Sequence, residues 1–364
     1  MKSFLVLMLI AFSSALLALT AETATQARVA LTKGITFLCD SQSADGHWSD
    51  PRFPGMSALA LWALSSAQEQ TQLTATATSK AVAYIVSCAQ PDGGIYVPIP
   101  ERKGGGLGNY NSCLCVTALH ASPQKERVLP TILAARSYIA STQIATEGLH
   151  EGGFGYDRQS PKAYTDLNNT LYAIDAIRLT QSAEESRPAG QKRVDIDWDA
   201  AKKYVLSMQL SEGEEKGGFL YNREVPRRLP PGTNPQQRLR ATGSMTYAGL
   251  LAMLHCQLTS NDPRVRSTRN FLTQHWSLDE NYGQGNQGLY FYYNIVARAL
   301  DAAAIPSLTL ADGSIVDWRE ALAKTLIARQ KANGSWVNEN NRFWEGDPVL
   351  STSYALLALE LVLR

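Results

Sequence analysis

Two short polar stretches carry the carboxylates that are best placed to do chemistry. Glu345 and Asp347 are separated by one residue and follow Trp344, a combination that suits acid–base cleavage of a sugar stacked on an aromatic ring. Residues 164–170 read Tyr-Thr-Asp-Leu-Asn-Asn-Thr, with Asp166 as their one acid. The candidate catalytic residues are therefore Asp166, Glu345 and Asp347. For Asp166 the alternative is a helix cap, because it precedes an apolar helical pattern.

Metal and nucleotide binding are not indicated. The chain has five cysteines and five histidines, without the ligand spacing that a zinc site requires. The glycine-rich residues 103–108 lack the Gly-Lys-Ser/Thr ending of a phosphate-binding loop. We therefore predict no metal and no cofactor. Lys and Arg total 34 against 33 Asp and Glu, so a basic surface for nucleic acid is not expected either.

The elements that position these residues come from a repeat. A glutamine that ends a helical segment recurs at Gln42, Gln90, Gln143, Gln209, Gln274 and Gln330. Three copies continue as Gln-x-x-x-Gly-x-aromatic and end at Trp48, Tyr96 and Trp336, and the others keep a glycine and an aromatic residue in a longer turn. An amphipathic helix precedes each glutamine. A helix rich in Ala and Leu follows each turn and begins with Ser or Thr, except in the fifth copy, where Tyr293 takes that place.

Each repeat thus supplies one helix that is apolar all round, and therefore buried on both sides, and one that is half exposed. Stacked hairpins bury what a single hairpin cannot. The last apolar helix continues to Leu363 with no polar capping repeat after it. We therefore predict an all-α protein, an α/α toroid of six helical hairpins with inner and outer helix rings, formed as a single domain by residues 22–364.

Parallel inner helices place their N-termini, with their partial positive charge, at one rim of the ring. Amides, aromatic residues and acids cluster there, so we expect a polar collar above an apolar shaft, which is the general form of a ligand pocket. The alternative for each residue is helix capping. Arg240 ends an arginine-rich loop that begins at Glu212. The arginines of this loop could bind a diphosphate or an acidic polymer; the alternative is a solvated loop without a ligand. The candidate substrate-binding residues are Asn111, Tyr164, Asn168, Asn169, Arg240, Tyr290, Tyr293 and Trp344.

The repeated turns resemble the QW motifs of the superfamily that contains squalene and oxidosqualene cyclases and the β-subunits of protein prenyltransferases. The resemblance covers residues 27–364, and six ordered copies make it specific. It implies an α/α toroid whose inner helices surround an apolar cavity, used in that superfamily for isoprenoid chains.

The same resemblance puts catalysis in question. Residues Asp166 to Thr170 resemble the Asp-x-Asp-Asp-Thr motif of cyclases that protonate an isoprenoid alkene, and in that family the middle aspartate delivers the proton. Asn168 takes that position here and Asn169 follows it. An amide is not an acid of useful pKa, so protonation would need Glu345 or Asp347 instead. The prenyltransferase branch uses zinc held by Asp, Cys and His at the starts of inner helices, and this chain lacks that set.

The N-terminus predicts export. Lys2 is followed by an apolar run from Phe4 to Leu19, so residues 1–21 read as a secretory signal peptide. The alternative is an uncleaved anchor that holds the protein at a membrane surface. Export permits disulfides, but five cysteines leave at least one thiol without a partner in the chain. The sequence leaves the oligomeric state open.

Three functions remain. The first is binding of an isoprenoid or other hydrophobic small molecule or lipid, with terpene cyclase or prenyltransferase chemistry if the protein is an enzyme. The second is a polysaccharide lyase or glycosidase, because α/α toroids also house these. The third is a non-catalytic interaction scaffold. The lining of the shaft distinguishes them: aromatic and aliphatic for isoprenoid, rich in carboxylates for sugar, plugged for a scaffold.

Overall fold

Paired helices alternate along the chain in the computed structural model, which describes residues 19–67, 71–101, 106–158, 164–224 and 239–364. The outer helices are α1 (Ala21–Asp40), α3 (Gln72–Ser87), α5 (Leu129–Ser141), α8 (Trp198–Ser207), α10 (Pro263–Gln274) and α12 (Trp318–Arg329). The inner helices are α2 (Pro54–Ser66), α4 (Gly108–Ala121), α6 (Leu167–Leu179), α9 (Gly243–His255), α11 (Leu289–Ala302) and α13 (Pro348–Val362). The described regions also contain the short α7 (Gln181–Glu185) and one antiparallel pair, β1 (Leu308–Thr309) with β2 (Ile315–Val316).

The inner helices form a closed ring. Each packs against the next, from α2 through α4, α6, α9 and α11 to α13, and α13 packs back against α2. Polar contacts close the outer ring as well, because the hydroxyl of Thr23 in α1 donates to Glu320 of α12 at 2.7 Å. Gln330 Nε2 donates to Ala30 O at 2.8 Å. The predicted fold, an α/α toroid of six hairpins, is therefore confirmed.

Four of the six repeated glutamines tie their turn to the following hairpin: Gln42, Gln143, Gln209 and Gln330. Gln90 bonds within its own turn instead. Gln42 Nε2 donates to Gly46 O in its own turn at 3.0 Å and to Ala77 O of α3 at 2.9 Å. Gly46 has a φ of +95°, and a Cβ there would lie 2.4 Å from Lys80 O. Glycine is needed because both the left-handed backbone and the close approach to α3 exclude a side chain.

In five of the six inner helices, all but α11, a hydroxyl near the helix start accepts a hydrogen bond from the preceding turn. The backbone N–H of Trp48 donates to Ser57 Oγ at 2.9 Å. The same bond links residues 154 to 170, 219 to 246 and 336 to 352. In the second repeat the residue at this position is Ile95, which bonds to Ser112, and not Tyr96 as the spacing of the sequence motif indicated. The left-handed glycine there is Gly93. The turn is otherwise the same, with Gln90 N bonded to Gly94 O as Ser43 N is bonded to His47 O, so the glutamine stands one residue later relative to the turn.

Two further properties of the described residues concern membrane-spanning helices and cysteine pairing. No helix in the described ranges is both long enough and apolar enough to cross a membrane. All five cysteines lie in these ranges and are unpaired, and four of them are buried in the helical core. These four buried cysteines pack as small apolar residues and form no disulfide.

Candidate functional site

A cavity of about 690 Å³ opens at the rim formed by the inner-helix N-termini. Its size lies within the range of small-molecule pockets. Aromatic residues make up the largest part of its wall: Phe53, Tyr110, Tyr156, Tyr172, Tyr221, Phe291, Phe343, Trp344 and Tyr354. The aliphatic lining is Met56, Leu59, Leu107, Met245 and Leu350, and the polar lining is Asn111, Asn168, Thr242, Ser244, Asn281, Gln284, Arg342 and Glu345. The shaft is therefore open and largely aromatic.

The aromatic rings contact one another around the cavity. The centroids of Tyr110 and Tyr172 are 5.4 Å apart in an edge-to-face arrangement. Phe291 lies 6.5 Å from Tyr172 and 5.8 Å from Tyr354. Such pairs hold each other in a fixed orientation. The wall is thus a rigid surface suited to an apolar ligand.

Three tyrosine hydroxyls converge within this wall. The hydroxyls of Tyr172 and Tyr354 are 3.3 Å apart, and the hydroxyl of Tyr110 interacts with both. Burial raises the pKa of Tyr110 to about 12, so the group is neutral at physiological pH. A second pair, Tyr156 and Tyr221, has its hydroxyls 2.8 Å apart. The cavity therefore offers neutral hydrogen-bonding groups on an apolar wall.

Glu345 is a lining residue whose carboxylate is already engaged. It is 1% exposed and accepts hydrogen bonds from the backbone N–H groups of Tyr290 at 3.1 Å and Phe291 at 2.8 Å. Asn338 Nδ2 donates to it at 2.7 Å. These bonds satisfy the N-terminus of α11, which has a glycine without a side chain as its own N-cap. Burial raises the pKa of Glu345, and the N–H donors oppose that rise.

Other polar residues of the rim cap helices of neighbouring repeats in the same way. Asn111 Oδ1 accepts from Gly55 N of α2 at 2.9 Å, and its Nδ2 donates to Gly106 O. Asn281 Oδ1 accepts from Ser244 N of α9 at 2.8 Å. Unpaired N–H groups at a helix start need such partners. The collar predicted from the sequence is therefore largely a set of caps that link adjacent hairpins.

Two of the candidate acids are caps of their own helices. Asp166 is fully buried, and its carboxylate accepts from Asn169 N and Asn169 Nδ2, both at 2.7 Å. Burial raises the pKa of Asp166 to about 6, although these bonds and one from Tyr221 oppose the rise. Asp347 accepts from two backbone N–H groups at the start of α13. Neither residue lines the cavity.

Asn168 lines the cavity, at the position where the resembling cyclases carry their acid. Its side-chain oxygen is buried without a hydrogen-bond partner. Asn169, by contrast, turns away from the cavity and binds Asp166. Tyr172 lies four residues after Asn168 and therefore one turn below it on the same face of α6.

Of the remaining candidates, one lies at the mouth of the cavity and the others lie outside its lining. Trp344 is at the mouth, 46% exposed, with its ring 4.9 Å from Phe53 in an edge contact. Tyr164 stacks on Tyr156 behind the wall. Tyr290 and Tyr293 are buried outside the cavity, and the Tyr293 hydroxyl donates to Leu278 O. Arg240 binds Glu215 at 2.8 Å on the surface, whereas the neighbouring arginines 227, 228 and 238 lie outside the described residues.

Most of the aromatic wall was not among the residues singled out from the sequence. Tyr172 and Tyr354 each lie four residues after another lining residue, Asn168 and Leu350 respectively. The signal was therefore present as helical spacing below the rim. Phe343 and Arg342 come from the loop before α13, where no periodicity indicates which side chains turn inward.

At the opposite ends of the inner helices, a buried ion network joins three of them. Asp175 of α6 accepts from His255 of α9 at 2.6 Å and from Arg298 of α11 at 2.5 Å. Burial would raise the pKa of Asp175, but Arg298 and His255 together hold it below its usual value. Arg298 also lies over the ring of Trp62 in α2, 5.1 Å from its centroid. Within the described ranges, no group of three His, Cys, Asp or Glu is placed to hold a metal ion.

Solved structures with the same fold include enzymes of two kinds. The type II terpene cyclase MstE from Scytonema, in complex with geranylgeranyl dihydroxybenzoate, superposes with a TM-score of 0.56 at 10% identity, over 95% of this chain and 99% of that one. An α-1,6-mannanase of Salegentibacter sp. HEL1_6, in complex with α-1,6-mannotriose, gives 0.56 at 9% identity over 94% and 100%. An α-mannanase of Bacteroides thetaiotaomicron gives 0.56 at 9% over 93% and 98%.

At these identities the likeness establishes the α/α toroid and nothing about activity. No protein-family model matches the sequence, and no curated protein sequence shows significant similarity to it. The function must therefore be argued from the cavity.

Proposed function

We propose that this protein binds a hydrophobic small molecule with an isoprenoid-type chain in the central cavity. The observation that carries the proposal is the lining: nine aromatic and five aliphatic side chains surround a volume of about 690 Å³. Burial of apolar ligand surface against such a wall contributes about 25 cal/mol per Å². The ligand of the terpene cyclase MstE, geranylgeranyl dihydroxybenzoate, carries a chain of this class and supports the choice.

We further propose that the chain does not initiate cyclisation by protonating an alkene. Asn168 is not an acid, and Glu345 accepts hydrogen bonds at both carboxylate oxygens. Protonating Glu345 would place an O–H against one of these N–H donors and lose a bond. Asp166 has a raised pKa but is enclosed by its bonds to Asn169. The aromatic wall therefore serves binding in the absence of an exposed proton donor.

The glycosidase alternative is less well supported by the same cavity. Acid–base cleavage of a glycosidic bond uses two carboxyl groups that face the scissile bond. Among the described lining residues Glu345 is the one carboxylate, and Asp347 caps α13 instead. A scaffold role is also disfavoured, because an open cavity of this size is not needed for it.

A competition experiment tests the proposal. The purified protein is titrated with a fluorescent fatty-chain probe, and the probe is displaced with geranylgeraniol or with α-1,6-mannotriose. We expect saturable displacement by the isoprenoid and none by the sugar. A cavity-filling variant, Met245→Trp, places a larger side chain into the cavity from α9 and should abolish probe binding. Displacement by the sugar alone, or equal probe binding in Met245→Trp, would contradict the proposal.

The test for catalysis uses the same protein. Wild type incubated with geranylgeranyl dihydroxybenzoate or squalene should return the substrate unchanged by mass and chromatography. A cyclised product that disappears in Glu345→Gln but persists in Asp347→Asn would show that Glu345 is an acid after all.

We propose that the ligand reaches the cavity from a lipid surface. Phe343 and Trp344 stand at the mouth with 49% and 46% of their surface exposed, and aromatic side chains favour membrane interfaces. Vesicle flotation of wild type and of the double variant Phe343→Ser/Trp344→Ser tests this. Ile315→Ser, which removes an apolar residue that is 69% exposed and does not line the cavity, is the control. Equal flotation of all three proteins would refute the contact.

We also propose that the protein is exported and that residues 1–21 act as its signal peptide. The support is the apolar run after Lys2. Cell fractionation followed by N-terminal sequencing tests the proposal, with a mature terminus near Ala21 expected outside the cytoplasm. Recovery of the intact N-terminus from the cytoplasmic fraction would contradict it.

A further inference from the structure

The polar residues that line the cavity differ in whether their hydrogen bonds are already used. Asn111, Asn281 and Glu345 are engaged with the backbone of neighbouring helices. Thr242 caps its own helix, and Ser244 accepts from Asn281. The side chains without a hydrogen bond are Asn168, at the start of α6, and Gln284 and Arg342, on loops at the mouth. Asn168 is therefore the amide within the ring of inner helices that is left for a ligand.

The surroundings of Asn168 define the chemistry that it can bind. Its side-chain oxygen is buried in the wall and has no partner, so the end of the amide that reaches the cavity is its NH₂ group. A half-turn of the amide about its terminal bond would present the oxygen to a ligand instead. One turn further along α6 lies Tyr172, whose hydroxyl is 3.3 Å from that of Tyr354. The amide and these hydroxyls thus form one polar strip on an otherwise apolar wall.

The strip carries no charge. The tyrosines are neutral, because burial raises the pKa of Tyr110 to about 12 and raises the pKa values of Tyr172 and Tyr354 well above that of a free tyrosine. Arg342 is the one cation among the described lining residues, and it is exposed at the mouth. A diphosphate needs several cationic or N–H donors, and this strip has no cation and a single amide NH₂ group.

We propose that Asn168, together with the Tyr172–Tyr354 hydroxyl pair, binds a neutral hydroxyl group of the ligand, so that the ligand is an isoprenoid alcohol and not a diphosphate or a hydrocarbon. A hydroxyl both donates and accepts, so it satisfies the amide with either end of the amide turned inward. This inference rests on the proposed function, because it assigns the head group of a chain that the same cavity holds. It also gives the asparagine at the cyclase acid position a binding role.

The test compares three ligands that share one chain: geranylgeraniol, geranylgeranyl diphosphate and the parent hydrocarbon. Affinities are measured by displacement of the fluorescent probe from wild type, Asn168→Leu and Tyr172→Phe. Leucine keeps the approximate shape of asparagine, and phenylalanine removes one hydroxyl. Asn270→Leu, at an exposed site on the outer helix α10, is the matched control, and circular dichroism confirms the fold of each variant.

We expect wild type to bind the alcohol about 5- to 10-fold more tightly than the hydrocarbon, as one or two net hydrogen bonds provide. Asn168→Leu and Tyr172→Phe should lower affinity for the alcohol alone, and Asn270→Leu should change nothing. Equal affinity for all three ligands, or tightest binding of the diphosphate, would overturn the head-group assignment while the proposed function stands. If no ligand displaces the probe, the proposed function fails and the assignment fails with it.

Discussion

The buried cap Asp166 makes the stability of the protein depend on pH in a direction opposite to that of most carboxylates. Burial raises its pKa to about 6 in the folded protein, against about 3.9 in the unfolded chain. The folded state therefore holds the proton more tightly, so this contribution to stability is complete below about pH 3.9 and is lost as the pH rises through about 6. The gap corresponds to about 3 kcal/mol in the free energy of unfolding.

Asp166→Asn should remove this dependence without removing the cap. Asparagine is as good an N-cap as aspartate, and its oxygen can accept from Asn169 N. Its NH₂ group would face the Nδ2 of Asn169, but Asn169 Oδ1 has no partner at present. A flip of the Asn169 amide therefore restores the second bond. The variant is isosteric and neutral at every pH, so its stability relative to wild type should increase by about 3 kcal/mol from about pH 3 to about pH 7.5.

Urea unfolding followed by circular dichroism at a series of pH values measures this difference. Asp347→Asn, which changes the partly exposed cap of α13, controls for the loss of a capping charge. If the difference between Asp166→Asn and wild type is the same at both ends of the pH range, the carboxylate is not destabilised by burial and the reasoning is wrong.

Three further predictions follow from other contacts. Asp175→Asn should destabilise the protein by about 3–5 kcal/mol, because it leaves the mostly buried Arg298 without its carboxylate. Asp199→Asn, at an exposed ion pair with Lys202, should change the free energy of unfolding in urea by less than about 1 kcal/mol. Equal effects would show that the network is not stabilising. Gly334→Ala should lower the melting temperature more than Gly313→Ala. Both glycines have a positive φ, but a Cβ at Gly334 would lie 2.5 Å from a carbonyl oxygen of α1, whereas a Cβ at Gly313 would meet nothing. The reverse order of melting temperatures would refute the turn geometry. Glu345→Gln should cost about 1.5–3 kcal/mol of stability in urea, because one N–H donor at α11 loses its acceptor; an unchanged midpoint would mean that the cap is dispensable.

The ring itself could be predicted because its signal is repeated six times. The Ala- and Leu-rich helices are apolar on every face and become the inner ring, and the residues that open them, such as Ser57 and Thr352, bond to the preceding turn. Where a repeat departs from the pattern, the local prediction was less accurate. In the second repeat the glutamine stands one residue later relative to the turn, so that Ile95, and not Tyr96, takes the place of Trp48.

The site was predictable only at its rim. Helix N-termini pointed to Asn111, Asn168, Trp344 and Glu345, all of which line the cavity. The sequence could not distinguish caps from free groups, because Asn168 and Asn169 are adjacent identical residues that face in different directions. Tyr293 was predicted to bind substrate because of its position in the repeat, but its hydroxyl donates to a loop carbonyl outside the cavity.

Native mass spectrometry of the protein purified without detergent tests the central claim most directly. We expect one lipid with an isoprenoid chain bound per protein molecule, released on unfolding and absent from Met245→Trp, whose cavity is filled. An empty wild-type protein under conditions that preserve bound lipids, a bound oligosaccharide, or the same lipid retained by Met245→Trp would contradict it.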